Sequence, residues 1–280
     1  MPLTLMLIWD YDTPTGFAVS YHSRTADPML EYTCTDRILA LLAGHGIVST
    51  FACVGKAAEP GDLPLHNPAQ IRQIHAAGHE IASHSHSHEL LPALSQAELR
   101  QTLRDSKAAL EDCLGAPVVG FVPPWNRPFH HPRRLAFSGK DWQAGGGRWR
   151  HSVSSLCAAL AETGYHWVRV HYRPVWQQLG RKLGRRDLRP LALGQYHGVY
   201  TLRLSYCGYD QTLTDWLATL ADPGRDTAVV LYAHPHAIEH DNSQHWHHLT
   251  RFAQWSSDQR DALQIRFTTP SAWLAGQQQP

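Results

Sequence analysis

Apolar residues, interrupted only by Thr4, run from Leu3 to Trp9 and stop at two carboxylates, Asp10 and Asp12. A run of this length reads as a strand with both faces buried. Short apolar runs then alternate with amphipathic segments almost to the end of the chain. The spacing predicts a helix around Asp36 to Gly44, a strand from Ile47, a helix near Pro68 to Ala77 and a short strand from His79 to Ser83. The clearest helix runs from Ser95 to about Leu114. It begins with the capping box Ser95-x-x-Glu98 and carries Leu99, Leu103, Leu110 and Leu114 on one face. Further strands are read from Ala116, His166, Val199, Thr227 and Leu263, with helices over Val153 to Thr163, Thr212 to Leu220 and Ser243 to Ser256, and a short terminal helix.

Seven or eight strands alternating with helices, with no linker or repeat, predict an α/β fold: one barrel-like domain spanning residues 1–280. A doubly wound open sheet is the alternative, because order along the chain does not reveal whether a sheet closes. Both architectures put the chemistry at the carboxyl ends of the strands.

Composition narrows the class. With 43% hydrophobic and 18% charged residues and a net charge of +1, nothing global points to nucleic acid or a membrane. The apolar start carries no basic segment and turns acidic too soon for a signal peptide or a span, so the expected compartment is the cytoplasm. Cys34, Cys53, Cys113, Cys157 and Cys207 stand singly and read as reduced thiols rather than as a metal site. The 20 histidines and ten tryptophans do change the picture, since histidine is a common metal ligand and tryptophan a frequent platform for sugar rings.

Each strand can then be asked what it presents at its carboxyl end. The first ends in Asp10 and Asp12, the third in His84-Ser85-His86-Ser87-His88, the fourth in Pro124-Trp125-Asn126-Arg127, the sixth before Asp210 and the seventh in His234 and His236. Alternation along a strand sends Asp10 and Asp12 to one side and Tyr11 to the other. Two like charges on one face need solvent, a cation or a shared proton. His84 and His88 suit one cation if the chain turns helically, whereas an extended chain puts His84, His86 and His88 on one face, so spacing does not choose the pair. Neither His75, His79 and His197 nor His240, His245, His247 and His248 have comparable surroundings, and they are read as surface or structural residues.

These stretches resemble the polysaccharide deacetylase family, the carbohydrate esterases that share the NodB homology domain. "IWDYDT" is similar to a variant of the family's first motif in which one residue separates the acids, and "GHEIASHSHSH" resembles its H-[ST]-x-x-H motif closely. "FVPPW" keeps Pro124 and Trp125 of the third motif but has Val122 where the family places an arginine, with Arg127 as the nearest substitute. The fourth motif, an Asp-Trp pair, occurs at Asp215 and Trp216 inside a predicted helix, and Asp210 is better positioned. "LYAH" resembles the fifth motif and offers His234, with His236 as rival. The resemblance implies a distorted (β/α) barrel of about seven parallel strands and metal-dependent hydrolysis of an N-acetyl group on an amino sugar.

On that footing Asp12, His84 and His88 are the expected ligands of one divalent ion, zinc first, with cobalt, nickel, iron and manganese as alternatives. Asp10 is the expected general base and His234 the expected acid. Pro124, Trp125, Arg127, Asp210 and Tyr232 are expected to bind substrate or to support the reacting groups, Arg127 by orienting Asp10 and Asp210 by orienting His234. The basic residues Arg181, Lys182, Arg185, Arg186 and Arg189, with Arg148 and Arg150, suit a phosphate-bearing sugar, nucleotide-linked or lipid-linked. Deformylation or hydrolysis of another linear or cyclic amide on the same barrel is a second reading. A catalytically inert carbohydrate-binding barrel is a third.

Overall fold

The computed structural model describes residues 2–16, 27–128, 151–171, 190–220, 226–238 and 245–277. The opening apolar run forms β1 (Leu3–Tyr11), which pairs in parallel along its length with β9 (Thr227–Ala233). It also pairs in parallel with β2 (Thr50–Cys53) and the short β10 (Arg266–Phe267). Parallel pairing continues from β2 through β3 (Glu80–Ser83), β4 (Gly120–Phe121) and β5 (Trp167–Val170) to β7 (Val199–Arg203). The antiparallel edge strand β6 (Leu193–Tyr196) folds back on β7. His197 and Gly198, at φ 52° and 84°, make the two-residue turn between them, a backbone hand that matches strand twist.

Beyond Arg203 the chain changes partners. The Leu204 N–H donates to the Val170 carbonyl at the end of β5, and the next residue, Ser205, donates to Val230 on β9. The segment β8 (Tyr206–Cys207) then pairs with β9. The run read as one strand from Val199 is therefore two short strands, and their shared bend ties the two edges of the sheet into a distorted barrel.

The two faces of the barrel wall bury different sets. On β1, Leu3, Leu5, Leu7, Trp9 and Tyr11 face a layer of helices. Those helices are α1 (Leu30–Gly44), α2 (Gly55–Ala58), α3 (Pro68–Ala76), α4 (Gln96–Leu114), α5 (Val153–Glu162), α6 (Gln211–Leu220), α7 (His245–Asp258) and the terminal α8 (Pro270–Gln277). The alternate residues, Met6 and Ile8, join Ala52, Ala82, Val122, Trp167, Leu202 and Val230 in a separate apolar cluster inside the barrel. Trp167 fits because its neighbour is Gly120, where a Cβ would lie 2.1 Å from the indole.

One end of the barrel is stopped by α8, which adds Leu274 and Trp273 to the inner cluster. Glu80 accepts hydrogen bonds from the Ser271 hydroxyl (2.5 Å) and backbone N–H (3.3 Å) and from the Trp167 indole (3.1 Å), so it caps the first turn of α8 while tying it to β3 and β5. The other end lies at the carboxyl ends of the strands. The basic stretches at 148–150 and 181–189 lie outside the described residues. No described helix is long and apolar enough to cross a membrane, and all five cysteines are free thiols.

Candidate active site

Alternation along β1 continues past its apolar part. After Met6 and Ile8 the next inward positions are Asp10 and Asp12, and both carboxylates are buried. Asp10 lies opposite Ala52 in the β1–β2 register, and a small side chain there leaves room for it. Tyr11 goes outward, where its hydroxyl donates to Gln70 Oε1 at 2.7 Å, and the Gln70 amide in turn donates to the Tyr32 carbonyl at 2.9 Å. The outward anchor fixes the pleat that turns the two acids inward.

The histidine run leaves β3 in a turn rather than an extended chain. Ser85 and His88 take positive φ, 63° and 58°. His84 and His88 are thereby brought together, with ring centroids 5.1 Å apart, while His86 turns away to meet Glu59 at 3.4 Å. Helix α4 braces this turn from below: Ser106 Oγ donates to the Ser85 carbonyl (2.9 Å), and Thr102 Oγ1 accepts from the His86 N–H (3.1 Å). On the other side Gly16 closes against the site, since a Cβ there would lie 2.9 Å from Asp12 Cβ and from the His88 ring.

One carboxylate oxygen, Asp12 Oδ1, lies 3.2 Å from His84 Nε2 and 3.5 Å from His88 Nε2. Ligand atoms of Asp12, His84 and His88 all fall within 4.8 Å of one another. The tautomer of His84 is set by its other nitrogen, because Nδ1 lies 2.7 Å from the Val122 carbonyl, which can only accept. A neutral His84 therefore turns a lone pair, not an N–H, toward Asp12. His84 Nε2 and Asp12 Oδ1 are both buried with no hydrogen-bond partner. A histidine lone pair and a carboxylate oxygen facing each other in a buried site need a cation or a shared proton between them, and a carbonyl behind a ligating histidine is the usual support for a cation. The residues present fit one divalent ion, with Asp12, His84 and His88 to hold it.

Burial opposes charge on Asp12, but His88, His234 and His84 outweigh it and hold that carboxyl well below the usual carboxylate range. Burial likewise opposes charge on His84, and Asp10 and Asp12 reverse the balance and raise it. His234 reaches the second oxygen of Asp12, with Nε2 3.5 Å from Oδ2. Loss of hydration pushes its pKa down to about 4 against the pull of Asp12 and Asp10, so it is neutral at neutral pH. His236 is turned elsewhere, its Nδ1 2.5 Å from Glu31 Oε2 in α1. Of the two histidines read as rivals, His234 is the one beside Asp12.

Trp125 stands at φ 51° in a short 3-10 turn, Pro124–Asn126, with its ring against His88 at 4.4 Å between centroids. Pro124 is buried in the same turn, and the half-buried Arg127 ends it. Asp210 Oδ1 accepts from the Thr212 N–H (2.8 Å) and from the hydroxyls of Thr212 and Tyr206 (both 2.7 Å), the bonds of a residue capping α6. Tyr232 lines the interior between His234, 5.3 Å away, and a guanidinium 4.3 Å from its ring centroid.

That guanidinium belongs to Arg169 of β5, which the sequence reading does not single out. Its Nη1 and Nη2 donate to the two oxygens of Asp10, each at 2.7 Å, and its Nε donates to Asn126 Oδ1 at 3.1 Å. The group expected at Arg127 is supplied here. A signal existed in "WVRV": a charged residue inside a four-residue apolar strand, two places from the inward Trp167, must find a buried partner. Removing one member of such a buried pair leaves the other uncompensated, at about 3–5 kcal/mol.

Comparisons with known proteins give a family match over part of the chain and a shared fold. The family model for polysaccharide deacetylase matches residues 24–131, a stretch that includes His84, His88 and Trp125 and begins after the two aspartates. A putative polysaccharide deacetylase from Mycobacterium smegmatis superposes with a TM-score of 0.62 at 17% identity, over 99% of this chain and 90% of its own. The allantoinase Puue gives 0.63 at 16%, over 99% and 92%. A family 4 acetyl xylan esterase from Clostridium thermocellum, solved with a cobalt ion, gives 0.51 at 16%, over 99% and 93%. These likenesses show the fold.

Proposed function

The resemblance to the polysaccharide deacetylases holds in both the family model and the fold, and from it we infer that this chain is a metal-dependent hydrolase removing the N-acetyl group from an amino sugar. The observation that carries the reading is the buried convergence of Asp12 Oδ1, His84 Nε2 and His88 beside a second inward carboxylate, Asp10. Zinc is the first choice of ion for two histidines and a carboxylate, and cobalt, nickel, iron and manganese fit the same donors. When bound, such an ion supplies Lewis acidity toward the acetyl carbonyl and brings water's pKa from 15.7 toward about 7.

The chain's own residues do the rest. Asp10, held by Arg169, receives the proton that the attacking water gives up as its oxygen bonds to the acetyl carbon. His234 protonates the departing amine nitrogen as the C–N bond breaks, leaving acetate and a free amino sugar. Neutral at rest, His234 must first be protonated to play this role. Negative charge growing on the reacting centre raises its proton affinity, and its side chain, 23% exposed, can draw a proton from solvent. Trp125 offers an apolar face at the rim to the acetyl methyl or the sugar ring, with Pro124 and Tyr232 shaping the approach.

Metal analysis of the purified protein, paired with acetate release from N-acetylglucosamine-type substrates, tests the reading. Asp10→Asn is expected to retain the metal while kcat falls about 10²–10⁴-fold. Substantial turnover in that variant removes Asp10 as the base. Formate or ammonia in place of acetate assigns the barrel to a deformylase or to another amide hydrolase. Tight sugar binding with neither metal nor product indicates an inert barrel. The basic residues from Arg181 to Arg189 make a phosphate-bearing sugar part of the panel.

A further inference from the structure

Two aspartates with the same inward orientation are given different tasks in the reading above, and nothing in their own chemistry tells them apart. Their neighbours do. Asp12 is surrounded by His84, His88 and His234. Asp10 has both oxygens engaged by the Arg169 fork, although its Oδ2 lies only 4.0 Å from His84 Nε2.

Arg169 is itself held on every side. It is fully buried, its Nε is bound to Asn126, its two terminal nitrogens are bound to Asp10, and its plane packs over Tyr232. Asn126 is placed to accept by a positive φ of 55° in the Trp125 turn. The β4–β5 register pairs Gly120 with Trp167 and Phe121 with Val168, so the next residues along the two strands are Val122 and Arg169. Val122, where the resembling family has its arginine, sits in the inner apolar cluster and uses only its carbonyl at the site, to fix His84. The guanidinium has moved one strand over.

We propose that Arg169 is the positioning residue that separates the two aspartates: its fork keeps Asp10 out of the cation's coordination and directed at the reacting water, and leaves Asp12 to bind the cation. The proposal rests on the hydrolase reading for the task of Asp10 but not for the exclusion of Asp10 from the metal. A carboxylate freed from Arg169 is close enough to His84 to swing onto the ion. It would then occupy a position that water or substrate needs. Lysine at this place keeps the charge but is a point donor that cannot hold both oxygens in one plane.

The test uses Co²⁺ alone as the probe and the full chain. Arg169→Leu and Arg169→Lys are loaded with Co²⁺ and their visible absorption is compared with that of the wild type. Both are expected to change spectrum as an added carboxylate enters, and the change is expected to vanish when Asp10→Asn is added. On the substrate that the wild type hydrolyses, kcat is expected to fall about 10²-fold in both, with KM within about threefold. Arg169→Leu combined with Val122→Arg returns the fork from the neighbouring strand and is expected to restore the spectrum and most of kcat. Should Arg169→Leu not fold, Arg169→Lys and the relocated arginine still decide. An unchanged Co²⁺ spectrum in the folded variants, or kcat within threefold of wild type in Arg169→Lys, overturns the proposal. A wild-type chain that hydrolyses no substrate overturns the hydrolase reading, while the spectra continue to judge Arg169.

Discussion

His84 carries the chemistry of this site in a single ring. Its Nδ1–H donates to the Val122 carbonyl, so in the neutral ring Nε2 presents a lone pair to a carboxylate oxygen 3.2 Å away. The motif alone left three histidines open, and the turn at Ser85 resolved them by rotating His86 out toward Glu59. His79, five residues earlier, shows the same residue type in a structural role. It is buried, and its Nδ1 accepts from the Ser49 N–H at 3.1 Å. Burial holds its pKa below the usual 6.5, so the unfolded chain binds a proton more readily than the folded one. Its contribution to stability is complete above about pH 6.5 and is lost as pH falls toward the lowered folded value. The Tm difference between pH 7.5 and pH 5.5, measured on metal-free protein, is therefore expected to shrink in His79→Asn, which keeps an acceptor and cannot be protonated.

At the scale of elements, the pattern of α4 was legible because its start is chemical as well as periodic. Ser95 Oγ accepts from the Glu98 N–H while Glu98 accepts from the Ser95 N–H at 2.7 Å. Ser95→Ala is expected to lower stability by about 1 kcal/mol in denaturant unfolding and to leave kcat unchanged, since the cap lies two turns before the brace at Thr102 and Ser106. Less legible was why Thr102 and Ser106 occupy the buried face beside Leu99, Leu103 and Leu110. Their partners are backbone groups of a turn ten or more residues earlier, and helical periodicity carries no information about such contacts. The strand read from Val199 to Cys207 was correct in extent and wrong in unity. Its partner changes between Leu204 and Ser205, and partner choice is a property of the assembled sheet.

Among the described residues the barrel has an apolar, plugged end and a charged end. Met6, Ile8, Trp167, Val230 and Leu274 fill the first, and Asp10, Asp12, His84 and Arg169 continue the same inward faces into the second. A cation that binds only where β1 and the turn after β3 are folded together stabilises the native chain by linkage. At a free ion concentration 100 times its dissociation constant the gain is about 2.7 kcal/mol. Chelation is thus expected to lower Tm reversibly in the wild type and to have little effect in a folded Asp12→Asn/His84→Gln variant, read by scanning calorimetry with and without added Zn²⁺.

Periodicity, strand-end chemistry and the histidine motif sufficed to place Asp10, Asp12, His84, His88 and His234 on one rim, because the facing of a side chain follows from the pleat and the rim from the alternation of strands with helices. The tertiary structure alone decided which histidines meet Asp12, where the barrel closes and which cation answers Asp10. These depend on backbone hand at single residues and on the register of strands distant in sequence. Arg169 is the clearest instance. It lies 159 positions from Asp10 along the chain and 2.7 Å from it in space, and that contact exists only once β1 and β5 face each other across the curled sheet.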